Sequence, residues 1–343
     1  MSSLIDKDYD IIFVGTSMIC ILEAVCQSKK GKAVLMLDNS EGMGGAWRPL
    51  DIFGLHDVEN AIHYFLPDDK AFRFMRENLH WDLVNSTYKF RVFNLPLLGY
   101  FKMAYDGNFS RLLGKIIARE YIEPNKSKFL SLCKLFKNIV LEKRVPSCYA
   151  RGGTPEMLKK VKVILDNSNV EIKYSSEINS INIINQLVQV GVGGLTYQSK
   201  SIMVTHGSKI SNLLVGSKGP VEVNDKFHRR PAVHLLVRDS VISNIKECIF
   251  TADPLIKYVH DVTHTTKEAV AISGKKKVFV LALQHEIYET EEVFKSIFKK
   301  LQAVKMISQG AELEDHYWTN VHLPTLYDDD LINLKNEFSP QIK

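Results

Sequence analysis

The sequence predicts an α/β protein in which a βαβ-based domain is interleaved with a second, mixed sheet-and-helix domain. Three observations carry the prediction. The opening residues spell strand, glycine turn, helix, strand. Short strands return after residue 170, behind a further helix. The chain of 343 residues also exceeds one ordinary core without supplying three. With 45% hydrophobic and 24% charged residues, it belongs with globular proteins and not with disordered or collagen-like ones.

Residues 10–14 read as a buried strand, Gly15 as a turn, 18–28 as a helix and 33–37 as a second buried strand. Continuously apolar strands of this length belong to a parallel sheet covered on both faces. Gly31 suits the left-handed residue after a helix end, and Lys29, Lys30 and Lys32 complement the negative end of the helix dipole. From 68 to 141 the text turns largely helical. Phe72, Met75 and Leu79, then Phe129, Leu132, Leu135 and Phe136, fall on helical spacing, with Pro96 and Pro124 as breaks. Residues 143–153 read as loop, and Thr154-Pro155-Glu156 opens a helix with an early proline and an acid in its first turn. Residues 170–174, 178–184, 187–192 and 201–205 follow as strands, then 232–238 and 277–283, with an amphipathic helix over 291–303.

Several function classes drop out. A net charge of +5 without an arginine-rich tail gives no footprint for nucleic acid. Cys20, Cys26, Cys133, Cys148 and Cys248 are odd in number and irregularly spaced, which fits reduced thiols in a cytoplasmic protein. No HExxH or paired Cys/His spacing offers a metal site, and neither a Gly-x-Ser-x-Gly elbow nor a phosphate loop ending in Gly-Lys-Ser/Thr occurs. The acidic N-terminus does not read as a presequence, and no apolar run reaches the ~18–20 residues of a spanning helix. Peripheral membrane contact stays open. The basic residues on an apolar background over 126–144 suit a membrane surface or, more simply, a solvated helix with lysines outward.

The strongest chemical signal is Val14-Gly15-Thr16-Ser17-Met18-Ile19-Cys20, which follows a strand and opens a helix, with Asp38 at the end of the next strand. In a dinucleotide site the first glycine makes the turn, the second admits the pyrophosphate to the helix N-terminus, and the third lets helix and strand pack closely. Ser17 and Cys20 stand at the second and third positions. Asp38 stands where a carboxylate would accept hydrogen bonds from ribose hydroxyls. Beyond it, Gly42-Met43-Gly44-Gly45-Ala46-Trp47 supplies paired glycines that allow backbone to lie against a cofactor.

These residues together resemble the two-domain FAD proteins of the glutathione-reductase type, in the branch of amine oxidases, protoporphyrinogen oxidase and UDP-galactopyranose mutase. The resemblance implies a Rossmann-like FAD/NAD(P)-binding domain over 1–65 and about 145–215, interleaved with a helical and sheet substrate domain over about 66–144 and 216–338. It implies FAD as cofactor, with Gly15, Ser17 and Met18 at the pyrophosphate and Asp38 on the ribose. Gly44, Gly45, Ala46 and Trp47 would run toward the flavin, and Glu59, followed by Asn60-Ala61-Ile62-His63, would lie near it. Tyr149-Ala150-Arg151-Gly152-Gly153, the helix at Glu156 and Val170-Glu171-Ile172 resemble the return to the dinucleotide domain, with Ile178 on the adenine side and Val204-Thr205 at a later strand end.

The activity implied is an FAD-dependent oxidoreductase or mutase acting on a small organic substrate. His63, Tyr258 and His260 are its candidate catalytic residues; Asp261 and His264 lie close by, and strand alternation puts Tyr258 and His260 on one face. Gly15-Thr16 with Cys20-Ile21-Leu22 also resembles the opening of the Rab GDP-dissociation inhibitors and Rab escort proteins, which implies the alternative, a flavin-free protein-binding module. Residues 323–338 resemble the stretch before the closing Gly-Arg or Gly-Asp motif of the flavoproteins. The sequence then runs out at Gln341-Ile342-Lys343, so the expectation is either a fragment or a chain that has dispensed with the closing FAD contacts.

Overall fold

The computed structural model describes residues 5–61, 63–65, 70–85, 89–95, 97–104, 108–119, 127–141, 148–204, 214–216, 219–220, 226–238, 245–268, 272, 276–284 and 287–325. Six helices lie among them: α1 (Met18–Lys29), α2 (Lys70–Leu79), α3 (Asn108–Ile117), α4 (Lys128–Leu141), α5 (Gly153–Asp166) and α6 (Glu291–Ala303).

At the centre is a parallel sheet in the order Val170–Lys173, Val34–Leu37, Ile11–Val14, Ile202–Val204. Its strands are apolar throughout because both faces are covered. Successive side chains point to opposite faces. Ile11, Phe13, Val34 and Met36 accordingly pack with α1 and α5 through Ile21, Ala24, Val161 and Leu165. Ile12, Val14, Leu35 and Leu37 pack instead on Ile181, Val188, Val190 and Tyr197 of a six-stranded sheet. Burying each such side chain contributes about 1.5–3 kcal/mol, so one polar substitution here would be felt by both layers.

The third layer is a seven-stranded sheet in the order Glu312–Thr325, Lys226–Arg238, Lys276–Leu283, Ile256–Asp261, Glu247–Thr251, Lys89–Leu95, Gly99–Ala104. Phe294, Ile297 and Leu301 of α6 cover one face, packing on Leu235, Val259, Phe279 and Leu281. The other face meets Ile52, Leu55 and Val58 through Leu236, Val278 and Val280, and this apolar seam brings the sheet against the N-terminal region. Ionic tethering adds to it. Lys300 of α6 lies 2.5 Å from the buried carboxylate of Asp253, which also accepts from Tyr100 Oη and the amides of Leu255 and Ile256.

The βαβ opening, the helix after Gly152, the strands over 178–184 and 187–192 and the helix over 291–303 follow the sequence reading. Residues 83–104 do not. In place of helix they form strands Leu83–Asn85, Lys89–Leu95 and Gly99–Ala104. The middle one runs parallel to Glu247–Thr251, a partner far along the chain that no local spacing reveals. Likewise, part of the expected loop over 143–153 is the strand Cys148–Ala150, paired with Leu83–Asn85. Pro96, Pro124, Thr205 and residues 326–338 lie outside the described residues.

Candidate functional site

The three fingerprint segments meet at the C-terminal ends of the parallel strands, where open α/β sheets take their ligands. Gly15, at φ +90°, reverses the chain between strand and helix in a conformation that disfavours side chains. Ser17 is the N-cap of α1, and its hydroxyl accepts from the Cys20 amide at 3.4 Å. Its substitution for glycine therefore supplies a helix cap. Cys20 is fully buried, and its Sγ donates to the Val14 carbonyl at 3.7 Å, so a small thiol serves the close packing otherwise left to glycine.

Asp38 is turned inward. Its Oδ2 accepts from the Thr16 amide at 2.7 Å and the Thr16 hydroxyl at 2.5 Å, and its Oδ1 accepts from the Ser40 amide at 2.9 Å and hydroxyl at 2.6 Å. The Gly44 amide donates to Thr16 Oγ1 at 3.1 Å and to the Thr16 carbonyl at 3.2 Å. Gly45 follows closely enough that a Cβ there would sit 3.4 Å from Ser17 Cα. The glycine turn, the acidic strand end and the paired glycines are thus hydrogen-bonded directly to one another.

On the flavin side of the pattern the chain again meets itself. Trp47 stacks on His63 with ring centroids 4.0 Å apart and continues to Phe65 and Trp81. Glu59, almost fully buried, accepts through Oε1 from the Thr154 amide at 3.0 Å and hydroxyl at 2.7 Å. Burial raises its carboxyl to about 7 and outweighs those two donors. The Thr154 hydroxyl, having donated to Glu59, is 3.4 Å from His63 Nδ1. Burial pushes His63 and His234 down to about 4. His234 Nε2 lies 3.3 Å from the Glu59 carbonyl, which can only accept, so that nitrogen carries the proton. Asn60, at the usual glycine position after the Glu, donates to the Ala46 carbonyl at 3.3 Å. Gly153, at φ +74°, is held between layers, since a Cβ would come within 2.7 Å of Thr265 Cγ2 and 2.8 Å of Glu59 Oε2.

A second polar group lies one residue on. Consecutive side chains of the 63–65 segment diverge: His63 faces Trp47, while Tyr64 faces the seven-stranded sheet, its hydroxyl 3.3 Å from His260 Nδ1. Tyr258 and His260 do share a neighbourhood, with ring centroids 4.9 Å apart, and Tyr149 stands edge-on to Tyr64. Burial first, and the nearby Glu247 carboxylate second, raise Tyr64 and Tyr149 above the ordinary phenol range, which keeps both hydroxyls protonated as donors. Tyr64, Tyr149 and Glu247 were not legible in the sequence as one site, because they come from three separated segments. His63 is not in this group. A groove of about 540 Å³ lined by Tyr9, Lys32, Asn169 and Glu171 lies at the opposite, N-terminal ends of the parallel strands and takes no part in it.

In this arrangement the three segments bond to one another where the pattern would place a dinucleotide. A dinucleotide would have to open the Thr16–Asp38–Gly44 hydrogen bonds to lie between those segments, and both Asp38 oxygens are already engaged. At the flavin end of the pattern Trp47 stacks on His63 beside the Glu59–Thr154 pair.

No family profile matches the sequence, and no curated protein matches it. The fold itself has solved counterparts. Putrescine oxidase bound to putrescine superposes with a TM-score of 0.66 at 12% identity, over 98% of this chain and 92% of that one. An oxidoreductase from Methanosarcina mazei gives 0.62 at 14%, over 91% and 88%. Rab GDI from Plasmodium falciparum gives 0.60 at 12%, over 93% and 90%. The chain therefore has the mixed α/β fold of the FAD-dependent oxidoreductases, a fold shared with Rab GDI. Among the described residues no helix is long and apolar enough to cross a membrane.

Proposed function

We propose that this chain is a flavin-free, cytoplasmic protein-binding module on the flavoprotein fold. The observation that carries the reading is the direct interlock of Thr16, Asp38 and Gly44, in which one threonine hydroxyl joins the three segments a dinucleotide would otherwise bridge. Residues 1–65 and about 145–215 act as the scaffold; 66–144 and 216–338 form the partner-facing part. The candidate contact face lies where the two parts meet: Tyr64 and Tyr149 from the scaffold stand edge-on to each other, and Tyr64 and Tyr258 flank the buried His260, offering apolar ring area with polar hydroxyls. The test is the absorbance spectrum of the purified protein, with mass analysis of any small molecule released on denaturation. The expected protein is colourless and takes up no added FAD. A yellow protein that releases FAD in stoichiometric amount would overturn the proposal.

A second reading, an FAD-dependent oxidoreductase or mutase acting on a small organic substrate, is supported by the exposure of Gly45 and Ala46 beside the start of α1. On that reading the interlock opens, Gly15, Ser17 and Met18 meet the pyrophosphate, and Asp38 exchanges Thr16 for ribose hydroxyls. FAD would then supply the redox chemistry, and this chain's residues would hold it, exclude water and orient the substrate.

A further inference from the structure

Helices α3 and α4 pack on each other, and α3 rests on the Lys89–Leu95 strand at Gly114, where a Cβ would overlap the Arg91 side chain. In α4, Ser131, Leu135 and Ile139 recur every fourth residue and are buried, which accounts for one face of the helix. Another face is also apolar. Phe129 is 73% exposed, Leu130 62% and Phe136 45%; Phe129 and Phe136 are seven residues apart and so share a stripe, with the exposed Cys133 between them. Phe109, at the start of α3, is 65% exposed. A solvated helix would carry its lysines outward and keep its phenylalanines in.

The charges interleaved with this surface have one sign. Arg111 and Lys115 lie on α3 and Lys128, Lys134 and Lys137 on α4, and neither helix contains an acid. Residues 108–141 hold seven basic residues against Glu120 and Glu123, both in the connection between the helices. A second copy of the same face would oppose like charges, and a purely apolar partner would strand the lysines. A surface of anionic phosphates over an apolar interior satisfies both parts, since lysine stems can lie along apolar surface while their ammonium groups reach the headgroups.

We propose that α3 and α4 form a peripheral membrane-docking face, with Phe129, Leu130 and Phe136 entering the headgroup boundary of an anionic bilayer and the flanking lysines pairing with its phosphates. The test is co-sedimentation of the full chain with vesicles of phosphatidylcholine alone and of equal parts phosphatidylcholine and phosphatidylglycerol. Binding to the second, not the first, and weakening with added salt are expected. Phe129→Glu with Phe136→Glu, and separately Lys134→Glu with Lys137→Glu, should each lower vesicle partitioning by about tenfold or more. The thermal midpoint of the Phe129 and Phe136 variant should be unchanged, because both side chains are exposed. Absence of binding to anionic vesicles would overturn the proposal, as would binding indifferent to both double variants. A wild-type dimer that Phe129→Glu with Phe136→Glu dissociates, without vesicle binding, would assign the face to a second copy of the chain instead.

Discussion

Replacing Asp38 by alanine distinguishes a structural carboxylate from a ribose ligand. The substitution removes four hydrogen bonds, two to Thr16 and two to Ser40. Ser40 is partly exposed, and its donors regain water. Thr16 is fully buried, so its amide and hydroxyl lose their acceptor in a place water does not reach. At ~1–3 kcal/mol for each of the two buried donors left unsatisfied, the loss is about 2–6 kcal/mol. Unfolding entropy is roughly 2.1 cal/mol/K per residue, so a chain of this length melting as one unit would show a fall of about 3–8 °C. The fall would be larger if the N-terminal layers melt on their own. Calorimetry on both proteins, with and without added FAD, reads this directly. A variant that melts with the wild type would refute the interlock, and one that also loses FAD uptake would return Asp38 to the ribose.

Stability should also depend on pH through the Glu59 node. Glu59 holds its proton more tightly folded, at about 7, than at its ordinary 4.5, so its contribution to stability falls as pH rises from about 4.5 through 7. His63 and His234, held near 4 against an ordinary 6.5, act oppositely, and stability falls as pH drops from 6.5 toward 4. With two histidines set against one carboxyl, the node's stability should rise from about pH 4 to 6.5 and then stay nearly level, and Glu59→Gln should steepen that rise and extend it past pH 6.5; a wild-type melting curve that falls between pH 4 and 6.5 would contradict this. Lys300→Met should destabilise by about 3–5 kcal/mol by leaving the buried Asp253 carboxylate unpaired, read as a lower urea midpoint, and an unchanged midpoint would remove the pair from the account. Gly153→Ala should cost about 1–3 kcal/mol, because its φ is positive and its Cβ would press on Thr265 and Glu59; a midpoint equal to wild type would mean that the layers yield freely there. Ser17→Gly should lower the midpoint by only a few tenths of a kcal/mol in stability terms and confer no FAD uptake, and a gain of bound FAD would favour the oxidoreductase reading.

Local signals were the legible ones. Helix α1 was readable because Gly15 and the lysines after Ser28 mark its ends, and α6 from its amphipathic run; their caps, Ser17 and Thr290, emerged only in the structure. The motif residues Gly15, Asp38, Gly44 and Gly45 do come together. Their spacing could not say whether they would surround a ligand or bond to each other. The latter depends on Thr16, a residue the dinucleotide pattern leaves unspecified. The strands over 83–104 were hidden by apolar residues that also suit a helix, and their partner lies in residues 247–251. The pairing of Tyr64 with His260 is likewise a product of the tertiary fold, as is the exposure of Phe129 on a helix whose sequence alone suggested an ordinary solvated face.

The centre of the parallel sheet also sets the terms of this protein's synthesis. Strand Ile11–Val14 finds Val34–Leu37 almost at once, but its other edge pairs with Ile202–Val204, with Ile12 opposite Ile202. At ~5–20 residues per second, the second partner reaches the ribosome exit roughly 10–40 seconds after the first strand does. Throughout that interval four apolar residues present an open row of amides and carbonyls, a template any neighbouring nascent chain could extend. The yield of native protein in a cell should thus turn on what shields that edge during translation, and slower elongation would lengthen the exposure.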